Sequence, residues 1–409
     1  MNRCGRGRAI ASPEDIVIAP DGRHAYVAAY GSHAVAVFAR DRSTGDLAQL
    51  EGRRGCTSHE GIGPCAAARA LARPTAVAVS PDGRNVYVAA TASSALAVFA
   101  RNRRTGALRQ LPGTKGCVSQ RPGGGCLAGQ ALNEPVAVAV SPDGRRVYVA
   151  GRRFPSGVAI LDRARDGSLS QAPGAAGCIA QSGHRGCAAG RGMRSPEDVA
   201  VSPDSRFVYV AGMKSNGVAV LHSDASGLGQ LDGTAGCLAR TAAEGCATGR
   251  GLVGAVELAL SPDGRSVYAA ASGGDALASL RRDRQTGELR QPSGTAGCLS
   301  QGGSGGRCRA GRVLDEVWGV AVSPDGRNVY AVSSRINAMA VISRTPRGAL
   351  SPLPGRSSCF IRAGGFGCAE GRGLTVAVAV TVSPDGRNVY VASDDTVLGG
   401  IAIFRRRPA

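Results

Sequence analysis

The decapeptide SPDGRNVYVA, residues 80–89, decides the fold of this chain because variants of it recur along the whole sequence. Its turn word occurs seven times, as APDG once, SPDS once and SPDG otherwise. The prolines of these copies are 61, 61, 61, 59, 62 and 60 residues apart: Pro20, Pro81, Pro142, Pro203, Pro262, Pro324 and Pro384. A near-constant spacing of this length indicates a repeat architecture, in which each copy forms one structural unit.

One complete unit, from Pro74 to Gly113, reads PTAVAVSPDGRNVYVAATASSALAVFARNRRTGALRQLPG. It contains three β-rich runs (AVAVS, NVYVAA and ALAVFA), and the loop RNRRTG leads into a fourth run, LRQL. The first runs are apolar at both parities, which indicates sheets that are covered on both faces. Four antiparallel strands in about 40 residues are typical of one propeller blade.

The seven units therefore predict an all-β fold, a single seven-bladed β-propeller of four-stranded antiparallel blades over residues 1–409. The blades begin near residues 13, 74, 135, 196, 255, 317 and 377. Hydrophobic residues make up 43% of the chain and aromatic residues only 4%, so Val, Ala, Leu and Ile must build the core. No apolar run is long enough to predict a membrane span. The last blade lacks a fourth run after Arg407.

Thirteen cysteines punctuate the repeats, and twelve of them form pairs that flank Gly-rich loops. The pairs are Cys56–Cys65, Cys117–Cys126, Cys178–Cys187, Cys237–Cys246, Cys298–Cys308 and Cys359–Cys368. Structural zinc is the competing explanation, but zinc ligands favour closer spacings with helper histidines, and the five histidines show no such arrangement. We predict local disulfide bonds on one face of the propeller, and hence a secreted, periplasmic or cell-surface location. The N-terminal residues show no signal peptide.

Cys4 is the cysteine without a partner. It precedes Pro13 by nine residues, and Cys65 precedes Pro74 by the same step. Cys4 is therefore placed like the second cysteine of a pair, whose first member would lie upstream of Met1. We expect the natural chain to begin earlier, with a fourth strand that completes the last blade; a free thiol on a frayed terminus is the alternative.

The net charge of +19 arises from 49 basic residues, and the repeats collect arginines on one face. Between the first and second strands lie Arg23, Arg84, Arg145, Arg206, Arg265, Arg327 and Arg387. Between the third and fourth strands lie Arg40, Arg42, Arg101, Arg103, Arg104, Arg163, Arg165, Arg281, Arg282, Arg284 and Arg344. Such a face would attract an anionic polymer, although a solvated basic surface explains the same pattern. Because no aromatic residues interleave with these arginines, we predict no sequence-specific nucleic acid partner.

Acidic residues gather on the opposite face, where the chain enters the inner strand of each blade. They are Glu14, Asp15, Glu134, Glu197, Asp198, Glu257, Asp315 and Glu316, and the only tryptophan, Trp318, stands among them. We interpret this set as a candidate ligand-binding mouth of the central channel. Three interpretations of the balancing charge stay open: a cation, a cationic ligand, or the arginines that recur after the second cysteines. Calcium is the cation that hard carboxylate ligands favour. Those arginines are Arg8, Arg69, Arg191, Arg250, Arg312 and Arg372.

The run SPDGRNVYVA followed by AVFARNRRTGALRQL resembles the repeat of seven-bladed β-propeller lactonases and of the related YVTN-type surface repeats. The resemblance extends over all seven units and implies the same propeller fold. It also implies lactone hydrolysis at the mouth of the central channel. Family members typically carry Pro-Arg-His where the inner strand begins, and the corresponding triplets here are PED, PTA, PVA, PED, AVE, VWG and AVA.

Because these triplets contain neither arginine nor histidine, we expect an extracytoplasmic binding or interaction module without a catalytic centre or cofactor. Its partner would be a protein, a carbohydrate or a small molecule. The alternative is a lactonase-like hydrolase of the 6-phosphogluconolactonase type, which acts on a lactone at the channel mouth. In that case Asp15 or Asp198 would replace the missing histidine as the base.

Overall fold

Seven inner strands, each starting just after a cysteine loop, stand side by side around a central channel in the computed structural model. The structure describes residues 5–61, 63–121, 123–395 and 399–406. The inner strands are Pro13–Ile18, Pro74–Val79, Pro135–Val140, Pro196–Val201, Ala255–Leu260, Val317–Val322 and Ala377–Val382. Each contacts the inner strands of both neighbouring blades, and the first contacts the last. The prediction of one seven-bladed propeller is confirmed.

The second and third strands of each blade pair antiparallel with each other and carry most of the core. The second strands are His24–Ala29, Asn85–Ala90, Arg146–Gly151, Phe207–Gly212, Ser266–Ala271, Asn328–Ser333 and Asn388–Ser393. The third strands are Ala34–Arg40, Ala95–Arg101, Gly157–Arg163, Gly217–Asp224, Ala276–Arg282, Ala338–Arg344 and Gly400–Arg405. The second strand of blade two is buried at every position, as expected for a sheet covered on both faces by neighbouring blades.

The turn word recurs because each of its residues has a task in the tight connection between the first two strands. In blade two, Ser80 Oγ donates to Asp82 Oδ1 over 2.6 Å, and the same carboxylate oxygen accepts the Arg84 N–H over 3.0 Å. Ser80 Oγ also accepts the Asn85 N–H over 3.0 Å. Gly83 has a φ of +68°, a conformation that favours glycine.

The outer edge of the blade differs in detail from a continuous fourth strand. In blade two, Leu108–Gln110 pairs with one half of the third strand, and Cys117–Ser119 pairs antiparallel with the other half. A 3-10 turn, Gly113–Gly116, separates the two segments. Leu127–Ala128 then adds a parallel strand beyond Cys117–Ser119. Both ends of the cysteine loop thus form part of the sheet.

The other blades repeat this outer edge, and the described part of blade seven comprises the three strands already given. The first outer segments are Leu47–Gln49, Leu108–Gln110, Leu169–Ser170, Gly227–Gln230, Leu289–Arg290 and Leu350–Pro352. The second are Cys56–His59, Cys117–Ser119, Cys178–Gln181, Cys237–Ala239, Cys298–Gln301 and Cys359–Ile361. The parallel strands are Ala66–Ala68, Leu127–Ala128, Ala188–Gly190, Ala247–Thr248, Arg309–Gly311 and Ala369–Glu370.

Short 3-10 turns are the helical elements of the described residues. Those between the two outer segments are Gly52–Gly55, Gly113–Gly116, Gly174–Ala176, Gly233–Gly236, Gly294–Gly297 and Arg356–Ser358. The others are His184–Gly186, Ala243–Gly245, Ser272–Gly274 and Gly302–Gly306. None of these helical elements has the length and hydropathy that a membrane crossing requires.

All six predicted disulfide bonds are present, each within its own loop. Among the described residues no group of histidines, cysteines and acids is arranged to hold a metal ion, so the zinc alternative finds no support there. Cys4 lies outside the described residues, as does any strand after Arg407.

Neighbouring blades are held together by a repeated arginine clamp. Arg101, at the end of the third strand of blade two, lies 2.9 Å from the Asp21 carboxylate in the turn of blade one. It also donates to Tyr26 Oη over 2.6 Å and to the Gly83 carbonyl over 2.9 Å. The same pairing occurs in Arg40–Asp385, Arg163–Asp82, Arg282–Asp204, Arg344–Asp263 and Arg406–Asp325.

These clamps correct the sequence interpretation of the arginine-rich face. Five arginines that were assigned to a solvated surface have nearly inaccessible side chains between the blades: Arg40, Arg101, Arg163, Arg282 and Arg344. Because Arg40 of blade one binds Asp385 of blade seven, the ring is also closed by this contact. The clamp is therefore a structural element, and the remaining exposed arginines set the charge of that face.

Candidate functional site

Every inner strand begins with a β-bulge, and the bulge sets the geometry of the channel mouth. In blade one, Pro13 pairs with Ala29 and Asp15 with Ala28, so Glu14 is an extra residue in the strand. The same irregularity occurs at the corresponding position of all seven blades. Bulges of this kind often redirect side chains next to active sites. Here the bulge residue is acidic in blades one and four, where Glu14 and Glu197 occupy it.

Directly after the bulge, three carboxylates form a lower tier within the channel. Asp15 Oδ2 accepts the Val77 N–H of the next blade over 2.8 Å. In the same way, Asp198 accepts the backbone N–H of Leu258 over 2.8 Å. Glu257 of blade five repeats the contact with the next inner strand, over 2.9 Å. Each carboxylate thus links two adjacent inner strands.

The lower tier is protonated more easily than ordinary carboxylates. Burial raises the pKa of Asp15 to about 6, and repulsion from Asp198 adds to the effect. Burial also raises the pKa of Asp198 to about 6. For Glu257, burial and then repulsion from Asp198 and Asp15 raise the pKa well above its ordinary value. The charges of the three side chains therefore influence one another within the channel.

The upper tier contains an ion pair between Arg152 and Glu197. Arg152 Nη1 lies 3.4 Å from Glu197 Oε2, and the Glu197 side chain is only 8% exposed. Ser195 Oγ donates to the other oxygen of Glu197 over 3.2 Å. Burial raises the pKa of Glu197, although the charge of Arg152 opposes this shift. Glu197 therefore positions Arg152 at the mouth.

Glu14 is the remaining carboxylate of the upper tier, and it has no hydrogen bond within the part of the chain that the structure describes. Burial, followed by repulsion from Asp394, raises its pKa to about 7, and the nearby charge of Arg152 partly offsets the increase. Glu14 is only partly accessible to solvent. Such a carboxyl group is half ionised near neutral pH and can accept a proton from water or return one.

The other predicted acidic residues lie at the rim. Glu134 pairs with Arg153 at 2.8 Å, and Ser334 Oγ donates to Glu316 Oε2 over 3.0 Å. For Asp315, burial and then repulsion from a neighbouring carboxylate raise the pKa. Trp318 is partly buried and packs against the hydrophobic core of blades five and six. Trp318 is also the bulge residue of blade six, at the position that Glu14 and Glu197 occupy in blades one and four.

The arginines after the second cysteines, one of the three balancing groups that the sequence offered, have other contacts. The arginines after the second cysteines hold loops: Arg69 donates to the Gly113 carbonyl over 2.7 Å, and Arg250 to Pro292 over 2.8 Å. Arg152 and Arg153 pair with acids instead. The three lower carboxylates use backbone N–H groups, and no described residues form a metal-binding cluster.

Arg152 lies outside the segments from which the sequence predicts the mouth, which are the strand entrances and the segments after the cysteines. It follows the second strand of blade three, where the other blades have Tyr30, Thr91, Met213, Ser272, Ser334 and Asp394. The break in that series is a signal, since a lone arginine replaces small, apolar or acidic side chains. Glu14 and Arg152 interact electrostatically, so the mouth combines a proton acceptor with a positive charge, as ester hydrolysis requires.

The family model described as Lactonase, 7-bladed beta-propeller matches residues 15–117 and 196–296 of this chain. The first stretch begins at Asp15, the second contains the entrance of blade four with Glu197, and together they make up about half of the sequence. The resemblance to propeller lactonases that the repeats indicated is confirmed. No curated protein sequence matches the chain.

Several solved structures share the fold at low sequence identity. A proposed 6-phosphogluconolactonase from Bacteroides fragilis is 17% identical, with a TM-score of 0.60 over 91% of this chain and 86% of its own. The periplasmic gluconolactonase of Pseudomonas aeruginosa is 19% identical, with a TM-score of 0.59 over 91% and 88%. Hydrazine synthase of Kuenenia stuttgartiensis is 14% identical, with a TM-score of 0.57 over 99% of both chains. At these identities the likeness establishes the fold alone.

The family match overturns one expectation from the sequence. We had favoured a binding module without a catalytic centre, because the entrance triplets lack arginine and histidine. The lactonase family match favours the hydrolase instead, so the preference was wrong. The absence of arginine from the entrance triplets was an incomplete reason for that preference, since Arg152 reaches the mouth from a loop.

Proposed function

We propose that this propeller, which resembles the lactonase family in sequence and in fold, is a carboxylic ester hydrolase that opens a sugar lactone at the channel mouth. The match to the lactonase family carries the proposal. Within the mouth, Glu14 is a partly accessible carboxyl group, and burial raises its pKa to about 7, an effect that the charge of Arg152 partly offsets. A group that titrates near the working pH is well suited to move protons in both directions.

In the proposed reaction, ionised Glu14 removes a proton from water as the water oxygen attacks the lactone carbonyl. Arg152 stabilises the negative charge that develops on the carbonyl oxygen. The tetrahedral intermediate then collapses, the bond between the carbonyl carbon and the ring oxygen breaks, and protonated Glu14 returns its proton to the leaving oxygen. The product is the open-chain hydroxy acid, and one water molecule is consumed.

Glu14 replaces Asp15 and Asp198 as the proposed base. Both aspartates already accept a backbone N–H of the next blade, which favours a role in holding the inner strands together. Glu197 is a positioning residue, because it contacts Arg152 and is itself held by Ser195. The carboxylates of the lower tier keep the floor of the mouth polar.

The proposed location is an oxidising compartment outside the cytoplasm. Six local disulfide bonds support it, because such bonds persist where thiols are not kept reduced. No cofactor takes part in the proposed reaction.

The proposal is tested by following acid release from glucono-δ-lactone, with the spontaneous rate subtracted. We expect turnover by the wild-type protein and a loss of kcat of about 100-fold or more in Glu14→Gln, as is typical for removal of a general base. Arg152→Ala should lower kcat/KM by about 10-fold or more through loss of oxyanion stabilisation.

Two changes are matched controls. Arg153→Ala removes an equal charge from the residue next to Arg152, and Glu370→Gln neutralises an exposed glutamate in the parallel strand after Cys368. Both should retain wild-type turnover. Absence of turnover in the folded wild-type protein, or equal activity in Glu14→Gln, would contradict the proposal.

A further inference from the structure

The face opposite the channel mouth carries a cleft of about 680 Å³ between blades one and two. Arginine side chains line it from two kinds of loop: Arg23, Arg42, Arg103 and Arg104. The carboxylates in the lining are Asp21 and Asp82. Since each inner strand runs from the mouth to the turn on this face, the length of the strand separates the cleft from the proposed hydrolytic site.

The carboxylates of the cleft are already paired with other arginines. Asp21 lies 2.9 Å from Arg101, and Asp82 lies 2.9 Å from Arg163, both within the clamps between blades. Within the described ranges, none of the four lining arginines takes part in an ion pair. The cleft therefore presents four positive charges without matching negative charges.

The lining arginines are held in place by the turns beneath them. Arg103 passes over Gly83, so that a Cβ atom there would lie 3.7 Å from Arg103 Cδ. Asn102 Oδ1 accepts the Arg104 N–H over 3.0 Å and fixes the loop backbone. Arg42 has the corresponding position over the turn of blade one. Binding would thus require little ordering of the backbone, which favours affinity.

We propose that this cleft is a second binding site, which takes a segment of a carboxylated polysaccharide. Guanidinium groups bind carboxylates through paired hydrogen bonds, so successive uronate units match successive arginines. The exposed turn arginines of other blades extend the positive surface: Arg84, Arg145, Arg206, Arg265 and Arg387.

The absence of aromatic platforms argues for a sugar polymer over single-stranded nucleic acid. The large hydrophobic side chains that are exposed in the described part of the chain are Phe154, Phe366 and Ile403, and none of them lines the cleft. Single-stranded nucleic acids are usually bound through bases that stack on aromatic rings. A charged sugar chain needs no such platform.

The test is binding of fluorescently labelled oligogalacturonate to the full chain at about 0.15 M salt, where long-range attraction is largely screened. The triple variant Arg42→Ala/Arg103→Ala/Arg104→Ala should weaken binding at least about tenfold, because it removes three of the four lining guanidinium groups. These side chains are exposed and lie outside the clamps, so the variant should unfold at the wild-type temperature.

The matched control is Arg281→Ala/Arg284→Ala/Arg347→Ala, which removes the same charge from exposed positions in blades five and six. It should change the affinity less than about threefold, as expected for charges beyond the screening length. Equal weakening by both triple variants would show that the general surface charge binds the polymer and that the cleft does not, which would overturn the proposal. So would the absence of oligogalacturonate binding by the wild-type protein, or tighter binding of single-stranded DNA of equal charge.

Discussion

At the scale of residues, the carboxylates of one blade respond to their surroundings in opposite ways. Burial raises the pKa of Asp198 from its ordinary value of 3.8 to about 6. For Asp204, six residues later, burial is outweighed by hydrogen bonds from Ser202, Arg282 and a backbone N–H, which lower the pKa. Ionised Asp198 therefore costs folding free energy, whereas ionised Asp204 contributes to it.

The first prediction concerns the pH dependence of stability. Because the pKa of Asp198 is raised in the folded state, the stability that its protonated form provides is fully present below about pH 4. This stability is lost as the pH rises through about 6. Asp198→Asn removes the buried charge and keeps an oxygen for the Leu258 N–H. We expect this variant to increase the free energy of unfolding at pH 8 by roughly 2 kcal/mol and to have little effect at pH 4.

Denaturant unfolding at both pH values provides the measurement. Asp204→Asn is the control, because loss of an ionised partner of Arg282 should lower the free energy of unfolding at pH 8. Destabilisation of similar size by both variants at pH 8 would show that the charge of Asp198 is well solvated in the channel.

At the scale of elements, the arginine clamp explains why the end of the third strand repeats so faithfully. The clamp arginine neutralises the turn carboxylate of one neighbour and binds the tyrosine of its second strand. Blade four is the exception, since Ser223 occupies the position. There Arg146 from blade three donates to Ser223 Oγ over 3.0 Å, and Tyr148 lies 2.6 Å from the same oxygen. The interface keeps a polar contact with a different donor.

The second prediction is that Arg101→Met destabilises the protein by about 3 kcal/mol or more, because it leaves the carboxylate of Asp21 and the hydroxyl of Tyr26 without their buried partner. Arg103→Met, two residues away and exposed, is the control and should change stability by less than about 0.5 kcal/mol. Equal free energies of unfolding for the two variants would mean that the clamp does not stabilise the ring.

The strands at the outer edge of the blades could not be predicted from the sequence. The inner three strands were predictable because β-rich runs and turn residues define them in every repeat. The pairing of Cys117–Ser119 with the third strand was not predictable, since only three residues pair there and they carry no periodic signal. The disulfide bonds were predictable from spacing, and the strands that they connect were not.

At the scale of the whole molecule, seven equal units left little freedom in the architecture, and the ring could be predicted from the sequence. The acidic mouth was also predictable, because Asp15, Asp198 and Glu257 stand at one position of the repeat. Its division into two tiers was not, since it depends on bulge geometry. Nor was the approach of Arg152, which requires blades three and four to be adjacent.

The proposed reaction requires that a lactone binds at the channel mouth. A crystal structure with D-glucono-δ-lactam, an uncharged analogue in which N–H replaces the ring oxygen, tests this binding. We predict electron density at the mouth, with the lactam carbonyl facing Arg152 and the ring within hydrogen-bond reach of Glu14. An analogue that binds at another surface, while the mouth of an active enzyme stays empty, would contradict the account.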